Sequence, residues 1–202
     1  CHRAHASIVG VPKFLPSGAG LLLEKEVTSL TKVSTNPDKP LVAIIGGAKV
    51  ETKVRMINKL SEKADFVLIS GLIGKGVIDQ KMILKYPEKI VFPVDETGGG
   101  KDIGPETIEL FRVKISQATT IFWNGPLGKI EDEEFALGTK EIAKAIAGSK
   151  AFTVVGGGET VELITKLGLI EKFGHVSTGG GAMLTFLSGD KLPGLIALEK
   201  SK

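Results

Sequence analysis

The chain has 202 residues, 42% of them hydrophobic and 24% charged, enough to bury an ordinary core in one domain. Lys and Arg number 26 against 23 Asp and Glu, a formal charge of +3 without any basic block that could track nucleic-acid phosphates, so no nucleic-acid partner is expected. A single cysteine, Cys1, cannot close an internal disulfide, and no apolar run reaches the roughly 18 residues that span a bilayer; the default reading is cytoplasmic, with no membrane partner.

In chain order, "CHRAHASIVG" lacks Met and begins in mid-pattern, and is read as the start of a fragment. Residues 11–40 form an approach punctuated by Pro and Gly, with an amphipathic helix near 20–33 and a "TNPDKP" turn. The β-branched run "LVAIIGG" (41–47) then precedes "KVETKVRMINKLSEKA", where Val50, Val54, Ile57 and Leu60 share a helical face. "DFVLISG" (65–71) and "KIVFPVD" (89–95) are further strands, nearly all apolar, as strands are when helices cover both faces of a sheet. "TTIFWNGP" (119–126) follows, then the acidic helical stretch "EDEEFALGTKEIAKAIAG" with Gly148 as its stop. "AFTVVGGG" (151–158) and "HVSTGGG" (175–181) complete the series. Strands alternating with helices predict an open, doubly wound α/β domain: a mainly parallel sheet of about six strands with helices on both faces.

In such sheets ligands sit beyond the carboxyl ends of the strands. Five glycine-bearing loops fall there: Gly46-Gly47-Ala48-Lys49, Ser70-Gly71, Asn124-Gly125-Pro126, Gly156-Gly157-Gly158-Glu159-Thr160 and Ser177-Thr178-Gly179-Gly180-Gly181. Glycine turns entering helices let backbone N–H groups approach an anion, and several together suggest a polyphosphate. The Walker pattern is absent, and neither glycine triplet is completed to the dinucleotide motif, so neither a Walker NTPase nor an NAD enzyme is supported. Lys49 and Lys53, four apart at the start of a helix, are read either as two surface lysines or as a pair holding an anion. Glu159 is either a magnesium ligand or an acid favoured by the helix dipole. Trp123, inside an apolar strand, is read as core, and His175 as structural.

Taken in order, "HRAHAS", "GGAKVETK", "WNGPLG" with a later Glu131, "GGGET", and "STGGGA" followed by "GDKLPG" resemble phosphoglycerate kinase over nearly the whole chain. The resemblance implies a Rossmann-like, carboxyl-terminal nucleotide-binding domain at 16–202. Residues 1–15 would be a remnant of the substrate-binding amino-terminal domain and hinge, the rest of that domain missing. It implies phosphoryl transfer between 1,3-bisphosphoglycerate and Mg-ADP, giving 3-phosphoglycerate and Mg-ATP, by a monomer. On this resemblance Lys49 and Lys53 hold the nucleotide phosphates and the transferring group, which Gly179, Gly180 and Gly181 meet from the other side with backbone N–H groups. Gly46, Gly47, Ala48, Gly71, Gly100, Asn124 and Pro126 line the nucleotide groove, and Glu131 takes the ribose hydroxyls. Gly157, Gly158, Glu159 and Thr160 lie at the phosphates with the Glu159 carboxylate on Mg²⁺, while Arg3 and His5 belong to the phosphoglycerate side.

The chain departs from the family pattern at three places. Glu159 stands where the family usually has Asp, Ser70-Gly71-Leu72 replaces a glycine run, and the stretch from there to Gly100 is shorter by several tens of residues. Lys101 takes the place of an apolar residue near the base. The alternative reading is a non-catalytic nucleotide- or phosphate-binding module.

Overall fold

The computed structural model describes residues 1–201. Short helical turns at Ala6–Gly10 and Val11–Lys13 lead into α1 (Leu21–Ser34), and β1 (Leu41–Ile45), α2 (Val50–Ser61), β2 (Phe66–Ile69) and α3 (Gly71–Asp79) follow. The middle of the chain is β3 (Ile90–Val91), β4 (Glu96–Thr97), β5 (Asp102–Ile103), α4 (Pro105–Ser116) and β6 (Thr120–Asn124). Then come α5 (Leu137–Ala147), β7 (Phe152–Gly156), α6 (Gly158–Lys166), β8 (His175–Val176), α7 (Gly181–Leu187) and α8 (Pro193–Glu199).

Six strands form one sheet in the order β3-β2-β1-β6-β7-β8, and every pairing in it is parallel. The order runs outward in both directions from β1, so β1 and β6 flank the switch point and all the carboxyl ends share one edge. Alternation along the strands divides the core in two. Leu41, Ala43 and Ile45 of β1 and Phe122 of β6 pack with α1, α2, α3 and α7, whereas Val42, Ile44, Ile121 and Trp123 face α4, α5 and α6. This two-sided burial is why β1 reads as an unbroken apolar run, all five residues inaccessible.

The expected sheet and its strands are present, with local differences that have identifiable causes. The 89–95 strand shrinks to Ile90–Val91, because Pro93 has no N–H to continue a ladder. The stretch from Glu131 does not begin as a helix: a 3₁₀ turn at Glu133–Phe135 comes first, and α5 starts where the buried Asp102 carboxylate accepts the Gly138 N–H at 2.7 Å. Gly148 does end α5, but in the right-handed region at φ −86°. A small antiparallel hairpin, β4 with β5, was not anticipated; its tip, Gly98-Gly99-Gly100, has positive φ throughout. Trp123 is fully buried and donates its Nε1–H to the Gly125 carbonyl at 2.9 Å. Among the described residues no helix is long and apolar enough to cross a membrane.

Candidate functional site

A cavity of about 730 Å³ opens along the carboxyl edge of the sheet, and each of the five glycine-bearing loops contributes to its wall. Gly47, Ala48 and Lys49 come from the end of β1, Ser70 from β2, Asn124 to Pro126 from β6, Gly157 to Thr160 from β7 and Gly180 from β8. Lys49, Glu159 and Gly180, remote in sequence, therefore face one cleft.

Main chain lies against main chain where β1 and β6 end. The Gly46 N–H donates to the Asn124 carbonyl at 2.9 Å and the Gly47 N–H to the Pro126 carbonyl at 2.8 Å. A Cβ on Gly46 would overlap the Pro126 carbonyl. Gly46 is thus the back of the wall and not its surface. Gly157 turns the chain into α6 at φ +105°, a region that side chains rarely enter, so the first N–H groups of the helix face the cleft.

Lys53, in the first turn of α2, is only 8% exposed, and its ammonium donates to the Asn124 side-chain oxygen. The same amide passes its Nδ2–H to the Gly156 carbonyl at 2.9 Å, fixing which way Asn124 faces. Burial pulls the Lys53 ammonium down from 10.5 to about 8, against the opposing pull of the Glu159 carboxylate. Lys49 is not yet helical: it occupies the N-cap position of α2 with an exposed side chain on the cavity. At the start of α6 the fully buried Thr160 hydroxyl lines the cavity without a hydrogen-bond partner. Buried hydroxyls rarely remain unsatisfied unless a ligand or water supplies the partner.

Of the other anticipated residues, Gly180 and Glu131 reach the cavity surface and the rest stand back from it. Gly179 and Gly181 flank Gly180, which alone of the three lines the cleft. Gly71 is buried at the start of α3, and Gly100 sits on the β4–β5 hairpin. Glu131 is on the lining with an exposed side chain. Arg3 and His5 are exposed on the amino-terminal segment, outside the cavity, where His5 caps the turn at Ala6–Gly10 through Ser7. That segment is nevertheless close to the last glycine loop, since the His2 ring lies 3.2 Å from where a Cβ on Gly181 would be.

Sequence reading passed over Leu127, Gly128 and Lys129, which continue the lining directly beyond Pro126. It also missed Glu26. This buried acid on α1 accepts from the Ser177 hydroxyl at 2.8 Å, the Thr178 N–H at 2.5 Å and the Thr178 hydroxyl at 3.2 Å, with His175 Nε2 3.2 Å away. Burial pushes its carboxyl up, but the donors from Thr178, Ser177 and His175 outweigh that and hold it below the usual value. Glu26 thereby anchors the loop leading into Gly179–Gly181. The available signal was an acid four residues before Leu30 on the buried stripe of α1.

The family model for phosphoglycerate kinase matches residues 1–83 and 76–190, two pieces that meet at the end of α3. The chain is 42% identical to the phosphoglycerate kinase of Thermosipho africanus and 40% identical to that of Finegoldia magna, covering 100% and 98% of this chain. It spans about 62% of the length of these curated relatives. The Thermosipho alignment extends over 249 residues against 202 here, so about 47 positions of that protein have no counterpart. Solved phosphoglycerate kinases from Coxiella burnetii and Pyrococcus horikoshii superpose with TM-scores of 0.89 and 0.87 at 34% and 35% identity. They are covered over 64% and 62% of their chains and cover 100% and 99% of this one. With a family model spanning most of its residues and a shared fold of the same description, the chain belongs to the phosphoglycerate kinase family.

Proposed function

We propose that this chain supplies the nucleotide-binding half of a phosphoglycerate kinase, joining phosphoryl transfer between 1,3-bisphosphoglycerate and Mg-ADP to a partner half that grips phosphoglycerate. The observation that carries this reading is the buried Lys53 ammonium, held by Asn124 on the same cleft as the start of α6 and the unpartnered Thr160 hydroxyl. A lysine kept charged despite burial needs an anion nearby, and an extended glycine-lined cleft suits a diphosphate tail.

In the forward direction a β-phosphate oxygen of ADP attacks the acyl phosphate, the P–O bond to the carboxyl group breaks, and 3-phosphoglycerate leaves as a carboxylate. No proton has to move, so the site needs no general base. The protein's work is electrostatic: Lys49 and Lys53 neutralise the transferring group on one side, and the glycine loop meets it on the other through backbone N–H groups at Gly180 and Gly181, the Gly179 N–H being donated to the Ser177 hydroxyl at 3.1 Å. Gly157, Gly158 and Thr160 take the nucleotide phosphates; Gly46, Gly47, Ala48, Gly71, Gly100, Asn124 and Pro126 shape the groove. Glu131 takes the ribose.

Among the described residues no group of three or more acidic, His or Cys side chains could hold a metal alone. Glu159, exposed on the cleft and in no ion pair among the described residues, fits the smaller role of one carboxylate on a magnesium ion already bound by phosphate oxygens. Magnesium bound there would neutralise phosphate charge.

Residues 1–15, with Arg3 and His5, belong in this reading to the phosphoglycerate side, and 16–202 to the nucleotide domain. Without closure of two halves the proximity of the substrates is lost, so the chain alone turns over little. Calorimetric titration with Mg-ADP tests the first part: saturable binding that Lys53→Met abolishes is expected, and no binding by the folded chain refutes it. Mixing the chain with the phosphoglycerate-binding half of a relative tests the second. ATP formation supports the kinase, whereas binding of Mg-ADP without transfer, once the halves associate, favours the non-catalytic module suggested by the shortened 72–100 stretch.

A further inference from the structure

We infer that Asp102 is a positioning residue for the nucleoside end of the cleft: from behind the cavity wall it sets the stretch Leu127–Glu131, and with it the Glu131 carboxylate. The inference rests on the nucleotide reading above and deepens it.

Asp102 is only 2% exposed, and no cation pairs with it among the described residues. A carboxyl buried without a counter-ion works against folding unless hydrogen bonds compensate. Burial accordingly pushes this one up, while the N–H groups of Gly138 at 2.7 Å and Ile103 at 2.9 Å pull it back. What the fold obtains from the acid is the placement of the main chain around it.

That main chain is the back of the cavity wall. A Cβ on Gly128, a lining residue, would overlap the Asp102 carboxylate and the Phe135 carbonyl, and a Cβ on Gly138 would overlap the same carboxylate. The carboxylate therefore fills the space between the lining stretch and the first turn of α5. The Gly138 N–H has no acceptor within its own helix, so Asp102 fixes that turn and the neighbouring Thr139 hydroxyl. This hydroxyl accepts the N–H of Leu127 at 3.0 Å and that of Gly128 at 3.3 Å. The Lys101 carbonyl, adjoining Asp102 in sequence, accepts the Lys129 N–H at 2.8 Å. Three consecutive lining residues are thus tied to groups that Asp102 places. The Asp132 N–H then closes a turn on the Lys129 carbonyl at 3.1 Å, and Glu131 rides in that turn with its side chain on the cavity.

The arrangement acts on one end of the cleft. Lys53, Gly157 and Thr160, the groups suited to phosphate, stand on α2 and α6, and among the described residues none hydrogen-bonds to Lys101, Asp102 or Thr139. Loosening Leu127–Glu131 therefore deprives the ribose of its partner and leaves the phosphate contacts in place.

The test is titration of the full chain with Mg-ADP and with magnesium pyrophosphate, which keeps the diphosphate and lacks ribose and base. Asp102→Asn retains the size of the side chain but has one oxygen for two N–H groups. It should weaken Mg-ADP about tenfold and magnesium pyrophosphate by less than about twofold. In a Glu131→Ala background, where the ribose partner is already gone, Asp102→Asn should add little further loss, because both changes act through one carboxylate. Thr139→Val deletes the acceptor for Leu127 and Gly128 and leaves Asp102 in place. It should reproduce the selective loss, and it carries the test if Asp102→Asn does not fold. Equal weakening of both ligands, no weakening of either, or additive losses in the double variant overturns the assignment while the nucleotide reading stands. Failure of the unmodified chain to bind Mg-ADP brings down the nucleotide reading, and this assignment with it.

Discussion

Lys53 offers the most direct physical test of the cleft. Its ammonium titrates at about 8 in the folded chain against 10.5 for a free lysine, chiefly because burial strips it of water. That difference corresponds to about 3 kcal/mol of folding free energy at neutral pH. Between about pH 8 and 10.5 the unfolded chain binds the additional proton, so stability from this residue rises with pH across that window. Below it the cost of burying the charge is present in full. Lys53→Met keeps the aliphatic stem, removes the charge and leaves the Asn124 oxygen without its donor, a loss of about 1–3 kcal/mol that is nearly independent of pH. At pH 7 the variant should be as stable as the parent or more stable by up to about 2 kcal/mol, and the parent should overtake it near pH 10. Urea melts of both proteins from pH 7 to 10 measure the difference, which cancels the titration of every other lysine. A difference that stays flat over that range would refute the reasoning. Nucleotide phosphates near Lys53 raise its pKa again, so Mg-ADP binding by the parent above pH 8 should take up protons.

Three further outcomes follow from named contacts. Thr160→Val removes a buried hydroxyl that has no partner, so the melting temperature without nucleotide should rise by an amount equivalent to about 1 kcal/mol while affinity for Mg-ADP falls. Glu26→Gln keeps the shape but not the charge that Thr178, Ser177 and His175 donate to. Because the folded carboxyl sits below its ordinary 4.5, its contribution is present above that pH and disappears as pH falls, so the variant's acid-unfolding profile should be flatter below pH 4.5 than the parent's. Gly46→Ala places a methyl into the Pro126 carbonyl, a main-chain atom that cannot swing aside; a loss of about 3 kcal/mol in denaturant unfolding is expected.

The architecture was legible because its signals are local. Apolar runs such as "LVAIIGG" announce strands buried on both faces, and the spacing of Val50, Val54, Ile57 and Leu60 announces the helix between β1 and β2. The carboxyl-end loops were legible for the same reason, since each strand is followed at once by its glycines. The β4–β5 hairpin was not: two-residue strands have no periodicity to read, and the hairpin exists because Asp95 caps α4 through the Thr107 N–H at 2.7 Å while Asp102 caps α5. Nor could helical spacing delay the start of α5 to Leu137, because the cap comes from 36 residues upstream.

Composition and pattern alone therefore determined the class of fold, the edge on which a ligand would sit and the kinds of residue on that edge, because side-chain periodicity and turn chemistry are written over a few neighbouring positions. Tertiary structure decided which of those residues touch the cleft and in what state. Strand order brings the ends of β1, β6, β7 and β8 side by side, Asn124 fixes the buried Lys53, and Glu26 reaches about 150 residues along the chain to hold the Ser177–Thr178 turn. Burial, charge state and hydrogen-bond satisfaction depend on such distant neighbours, and no local stretch of chain contains them.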